Sequence, residues 1–218
     1  MGITLYGFWR SLATYRVRVA LNLKGIPYEE ISVDLASGEH LSEKYGLFNP
    51  QHVVPLLKHG ANEIGQSLAI MEYIEDVWPC PSLIPTDPLD KAKVKALALI
   101  TIADTHPLII PRVRNYLNKE WGLDEVQQTQ WAQHWFSEGN LAIESSLVKL
   151  GLSETYSLGN ELTIADIALV SHVIGAKLFS VNMSNSPILN SIFENCMKLD
   201  SFSKAHPLKQ AGAPIQAQ

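Results

Sequence analysis

Two serines stand where the sequence pattern turns helical, and a serine at a helix start can hold negative charge. Ser11 follows a short apolar strand pattern, Ile3-Thr4-Leu5-Tyr6, and the segment Gly7-Phe8-Trp9-Arg10. After it, Val17, Ala20, Leu21 and Leu23 recur at helical spacing. Unpaired backbone N–H groups and the positive end of the helix dipole meet at such a position. Two readings stay open there: a plain N-cap, or a hydroxyl that also binds an anionic ligand group. Gln66-Ser67 repeats the arrangement before Leu68-Ala69-Ile70, again as a cap or as a carboxylate site. Between them, Asn49-Pro50-Gln51-His52-Val53-Val54-Pro55 ends in a proline that opens a strand. A cis Val54-Pro55 bond would turn the Val54 backbone outward, where it could pair with a peptide-like ligand; an ordinary loop-to-strand turn is the alternative.

Two further groups carry titratable or cationic side chains. Thr163-Ile164-Ala165-Asp166 has capping-box form, with aspartate for the usual glutamate, and its place before an apolar helix assigns it to folding. Asp104, His106, Arg112 and Arg114 cluster around Pro107 and Pro111. They read as solvated surface charge or as the lining of a cleft beside a kinked helix.

The elements that must position these residues fall into two blocks. From residue 1 to about 80 the order is strand, helix closed by Gly25, strand from Tyr28 to Val33, and a short charged helix near residues 38–45. A hairpin around Gly60-Ala61-Asn62 and a helix opened by Ser67 complete it. That is the order of a thioredoxin-like α/β domain. Four prolines from Pro79 to Pro88 make a linker, placed at residues 81–87. Residues 88–218 read as all-helical. A proline-bent run reaches about Lys119, a long helix spans Asp124 to Leu150, and a buried helix starts at Thr163. A last helix runs from Pro187 to about Leu199, with a loose tail from His206 on.

With 218 residues, 46% hydrophobic and 18% charged, the chain suits a soluble globular protein. A net charge of -5 and the lack of any basic run argue against a nucleic-acid partner. Apolar runs such as 164–174 are broken by Asp166, Ser171 and His172, so no membrane partner is expected. Strand-like sequence from the N-terminus shows no signal peptide, and Cys80 and Cys196 match no metal or disulfide spacing. A cytoplasmic setting is expected, with no metal.

Taken together, Ser11 at a helix start, Asn49-Pro50 through Val54-Pro55, Gln66-Ser67-Leu68-Ala69-Ile70 and Thr163-Ile164-Ala165-Asp166 resemble the cytosolic glutathione transferases. Leu5-Tyr6-Gly7-Phe8-Trp9-Arg10-Ser11 and Arg16-Val17-Arg18-Val19-Ala20-Leu21 are most similar to the zeta class, which includes maleylacetoacetate and maleylpyruvate isomerases. The resemblance covers essentially the whole chain. It implies a homodimer and glutathione as cosubstrate or cofactor, with Ser11 donating to the glutathione sulfur and Arg10 beside it. A free thiol has a pKa of about 8.5, and lowering it by two units takes about 2.7 kcal/mol of thiolate stabilisation, within reach of a hydroxyl donor at a helix start. By the same resemblance Val54, before Pro55, pairs with the cysteinyl part, and Gln66 and Ser67 hold the γ-glutamyl end. Asp104 contributes across a dimer interface, and His40 and Gln51 lie near the glycine carboxylate.

On the second-substrate side the resemblance implies Arg10, Leu12, Ala13, His106, Arg112 and Lys177. The class usually reads Ser-Ser-Cys where this chain has Ser11-Leu12-Ala13. An arginine expected before Phe179 is Leu178, and one expected near Arg112 is Pro111. A cis-dicarboxylate needs fixed cations, so the leading reading is a zeta-type glutathione transferase acting on a small electrophile, with or without a carboxylate. The alternatives are a maleylacetoacetate or maleylpyruvate cis–trans isomerase, and a non-catalytic binding module of the same fold.

Overall fold

The computed structural model describes residues 2–151 and 155–214. The described parts of Met1–Ser82 and Lys198–Gln218 form one compact unit, and those of Leu83–Met197 form the other. In the first, β1 (Ile3–Gly7) leads to α1 (Leu12–Leu23), β2 (Tyr28–Ser32), a 3-10 turn (Glu39–Leu41) and α2 (Glu43–Phe48). A hairpin of β3 (Leu56–His59) and β4 (Asn62–Gly65) then leads to α3 (Ser67–Val77). Among the described residues these strands form one mixed sheet ordered β2-β1-β3-β4. β1 runs parallel to β2 and antiparallel to β3, and β3 runs antiparallel to β4. The expected thioredoxin-like order is present.

Local sequence explains the punctuation. β1 alternates, burying Ile3, Leu5 and Gly7 on one face. α1 is buried from Leu12 to Leu21 and ends at Lys24, after which Gly25 takes the left-handed φ of +64° that a side chain disfavours. The expected single charged helix near residues 38–45 is two pieces, because Ser42 is extended and caps α2 through Oγ to the Tyr45 N–H. The hairpin turn is tighter than expected, since Asn62 already belongs to β4.

The second unit holds α4 (Pro88–Leu99), a π-helical turn (Ile100–Thr105), α5 (His106–Ile109) and α6 (Pro111–Trp121). After them come α7 (Glu125–Leu150), α8 (Ile164–Leu178) and α9 (Pro187–Met197). α8 is buried from Ile164 to Ala176 and is the core element, packed by α4, α7 and α9. The kink expected at the prolines is a widened turn followed by a break. Pro107 and Pro111 lack an N–H, and Ile110, preceding Pro111, is extended at ψ 155°. The carbonyls left over find side chains: Leu108 accepts from Trp131 Nε1 at 2.8 Å and Ile109 from Arg114 Nε at 3.0 Å. The run Pro88–Trp121 is long and apolar enough to span a membrane by length and composition alone, a run missing from the sequence reading. Its Val94, Leu97, Ala98, Ile109 and Leu117 are buried within the protein.

The chain's end departs from expectation. Residues 88–218 read as one helical block with a loose tail, but α10 (Asp200–Ala205) packs on α1 of the first unit. Tyr15 Oη donates to the Phe202 carbonyl at 3.5 Å and Asn22 Nδ2 to the Ser201 carbonyl at 3.1 Å. Phe202 is fully buried, which is the physical reason the segment docks. Pro207–Lys209 then forms a 3-10 turn, and Gln210 Nε2 donates to the carbonyls of Lys204 and His206. Residues 215–218 of the expected tail lie outside the described residues.

Candidate functional site

Sheet register gathers the three segments that the sequence singled out. Tyr6 near the end of β1 pairs with Leu56 at the start of β3, and Leu56 pairs with Gly65 at the end of β4. The turn to Ser11, the Val54-Pro55 approach and the Gln66-Ser67 helix start therefore all leave from one edge of the sheet. Ligands of open sheets bind beyond such an edge, where helix starts and loops expose backbone groups.

Ser11 is the N-cap of α1, and its Oγ accepts from the Thr14 N–H at 3.1 Å. A hydroxyl has one hydrogen and two lone pairs, so capping leaves its own O–H to donate elsewhere. Leu12 and Ala13 follow as the first helical residues; their N–H groups have no partner within the helix and their side chains are buried. Arg10 is exposed beside them.

The Val54–Pro55 bond is cis. The Val54 side chain is buried with Val33 and Tyr45, while its backbone N–H and C=O find no partner among the described residues. The peptide before it is held twice: the Val53 carbonyl accepts from Tyr45 Oη at 2.8 Å and from Asn49 Nδ2 at 2.7 Å. Burial pushes the Tyr45 hydroxyl up to about 12, so it stays a donor. Asn49 belongs to a segment singled out in the sequence, but neither it nor Tyr45 was assigned a role there, because an aromatic in a short helix and an Asn before Pro have ordinary structural uses.

Gln66 sits at φ +68°, ψ 116°, a conformation strained for a residue with a side chain. Such residues concentrate at ligand sites. Its Nε2 donates to Gln51 Oε1 at 2.7 Å, which joins two of the expected glutathione residues. Ser67 is buried and accepts from Arg16 Nε at 3.0 Å, again keeping its own hydrogen. Arg16 is the main residue missed from sequence. It is fully enclosed, and burial pulls its guanidinium from 12.5 down to about 9, which leaves it charged at neutral pH. A buried cation at the start of α3 favours an anion there. The available signal was two arginines, Arg16 and Arg18, inside an otherwise apolar helix.

His40 lies in the 3-10 turn, and its carbonyl is 2.8 Å from His52 Nδ1, which must therefore carry the proton. Partial burial, then repulsion from His52, draws the His40 imidazole below its ordinary 6.5, against the pull of Asp34.

In the second unit, Asp104 is exposed on the π-helical turn, His106 opens α5 and Arg112 is exposed on the first turn of α6. Lys177 is occupied within its own unit, its Nζ 4.1 Å from the Phe193 ring centroid. Arg114 has the more informative place. Its guanidinium lies 5.3 Å from the centre of the Phe179 ring, anchored by the Nε bond to Ile109. It thus puts a cation beside the residue that follows Leu178, where the sequence alone offers only Lys177. Asp166 has the assigned structural role. It is wholly buried and accepts from the N–H groups of Ser157 and Thr163 and from Thr163 Oγ1. Both cysteines are unpaired, and the described residues contain no metal-binding cluster.

Comparison with known proteins shows the family. The family model for the glutathione S-transferase N-terminal domain matches residues 1–76. Over 206 residues the chain is 40% identical to a maleylpyruvate isomerase of a Ralstonia species, spanning 94% of this chain and 97% of that protein. Among solved structures, the holo form of a maleylpyruvate isomerase, a bacterial zeta-class glutathione S-transferase, superposes with TM-score 0.94 at 39% identity. It covers 97% of this chain and 100% of its own. The maleylacetoacetate isomerase of Methylobacterium extorquens AM1, solved with malonate and glutathione bound, gives TM-score 0.95 at 37% identity. It covers 97% of this chain and 99% of its own. These names favour the isomerase, the second of the sequence readings, over the general transferase that led it.

Proposed function

Because this chain belongs to the zeta class of the glutathione transferases, an enzyme family, we propose that it is a glutathione-dependent cis–trans isomerase of a small unsaturated cis-dicarboxylate. The maleylpyruvate or maleylacetoacetate type is the intended substrate class. The observation that supports the reading is the strand pairing that sends the segments carrying Ser11, Val54 and Gln66-Ser67 off the same end of the sheet. These groups fit glutathione in chemistry as well as in place. A hydroxyl with a hydrogen to spare suits a thiolate, unpaired Val54 backbone groups suit the cysteinyl peptide, and a helix start over buried Arg16 suits the γ-glutamyl carboxylate. His40 and Gln51 are assigned to the glycine carboxylate.

Bound glutathione supplies a thiol whose addition to the conjugated double bond, and later departure, lets that bond rotate with no net consumption. Ser11 donates its O–H to the sulfur, while the first N–H groups of α1 and the helix dipole lower the thiol pKa. The substrate is a dianion, and Arg10, Arg112 and Arg114 are the cations assigned to it, with His106 as a further polar partner. Leu12 and Ala13 keep the thiolate's surroundings apolar, which strengthens the Ser11 bond. The same class supports a homodimer, for which Asp104 is the exposed residue assigned to the second copy's glutathione.

The test is the conversion of maleylpyruvate to its trans isomer, followed with and without glutathione. Conversion only with glutathione present is expected. Glutathione adducts accumulating with model electrophiles, and no conversion of the dicarboxylate, would return the general transferase to first place.

A further inference from the structure

The turn that carries Ser11 is gripped from beneath. Ser11 N–H donates to the Phe8 carbonyl at 3.0 Å, closing Phe8-Trp9-Arg10-Ser11 on itself. The same carbonyl accepts from Arg18 Nη2 at 3.2 Å, and the Trp9 carbonyl accepts from Arg18 Nη1 at 3.5 Å. The other edge of the guanidinium meets Glu30 on β2, with Nε 2.8 Å from Oε2 and Nη2 2.5 Å from Oε1. Arg18 is 1% exposed and Glu30 24%. Gly7 leaves room for this pair, since a Cβ there would run into Thr14 Cγ2 and come within 2.8 Å of Glu30 Oε1.

We propose that Arg18, locked by Glu30, is a positioning residue that fixes the Phe8–Ser11 turn and so aims the Ser11 hydroxyl; this rests on Ser11 being the partner of the glutathione sulfur. Stability alone does not account for the pair, because burying an ion pair costs about as much desolvation as the attraction returns. Nor does it act by charge, since the carboxylate balances the guanidinium at hydrogen-bond distance. What it supplies is shape. A planar fork of five donors can hold a carboxylate on one edge and two successive carbonyls on the other, and a lysine ammonium cannot. Small misplacements of a reacting group cost heavily in rate.

The experiment titrates the thiol of bound glutathione by its ultraviolet thiolate absorbance in the wild type, Ser11→Ala, Arg18→Lys and the double variant. Arg18→Lys is expected to raise the bound thiol's pKa by about one unit, about tenfold in ionisation. kcat should fall in step, while the affinity for S-methylglutathione changes by less than about twofold. On the Ser11→Ala background it should add no further shift, because both changes act through one hydroxyl. An unchanged thiol pKa in Arg18→Lys, or an equal shift without Ser11, overturns the proposal. If Ser11→Ala alone leaves the thiol pKa unchanged, the Ser11 reading fails and the proposal falls with it. Should Arg18→Lys not fold, Glu30→Gln, at a partly exposed position, is judged by the same criteria.

Discussion

At Ser11 the two roles that the sequence leaves open turn out to be compatible. The oxygen caps α1 with a lone pair and the hydrogen is left for a ligand. The same holds at Ser67 over Arg16. Sequence could point to both serines because helix starts are legible from periodicity and caps. It could not show Arg16, Tyr45 or Asn49 acting on the site, since their roles depend on contacts made only once the sheet edge forms. Two predictions belong here. Asn49→Ala and Tyr45→Phe each remove one of two donors to the Val53 carbonyl, at about 1 kcal/mol or about fivefold in glutathione affinity. KM for glutathione should rise by that factor with kcat nearly unchanged; a fall in kcat at constant KM would place them in the chemical step instead. The second concerns pH. His40 has a folded-state pKa below 6.5, so folding favours its neutral form, and its contribution to stability is lost as pH falls through the folded value. A ligand carboxylate beside it favours the imidazolium, so S-methylglutathione should bind more tightly as pH drops below 6.5. His40→Gln should flatten that rise, as measured by calorimetric titration; an unchanged slope removes His40 from the glycine end.

Elements were the most legible scale. α7 begins at Asp124 with a capping box to Gln127 and ends before Gly151 at φ +62°, close to the expected span. Capping residues and glycines act locally, so their signal survives without an alignment. The π-helical turn was less legible, because prolines announce a disturbance but packing chooses between a kink, a widened turn and a break. Thr163 and Asp166 show the limit of a local estimate. A lost cap costs about 1 kcal/mol. Here Asp166 also accepts from the Ser157 N–H across the loop, so its removal strands more than one buried donor. Asp166→Ala should therefore destabilise by about 3 kcal/mol, read from the denaturant midpoint, with turnover per folded molecule retained. A loss under about 1 kcal/mol would mean that the loop donors find other partners.

At the scale of the whole molecule, composition suggests a division near residues 81–87, whereas Leu83 and Ile84 are buried and belong to the second unit, and the return of the last segment to the first unit was not legible. Helical periodicity says which face of 200–205 is apolar and nothing about the helix it meets. Phe202→Ala should cost about 3 kcal/mol by opening a cavity against α1. A loss below about 1 kcal/mol would mean α10 contributes little to that unit. The relatives shift the functional reading from transferase to isomerase, and Arg114 stacks its guanidinium on Phe179, the residue after Leu178. The most direct test of that shift is the glutathione balance during turnover. Free thiol is counted while the purified enzyme converts a large excess of maleylpyruvate over glutathione. The expected result is complete conversion to the trans isomer with the thiol count unchanged; thiol lost one for one with substrate, or conversion that stops when glutathione is spent, would contradict it.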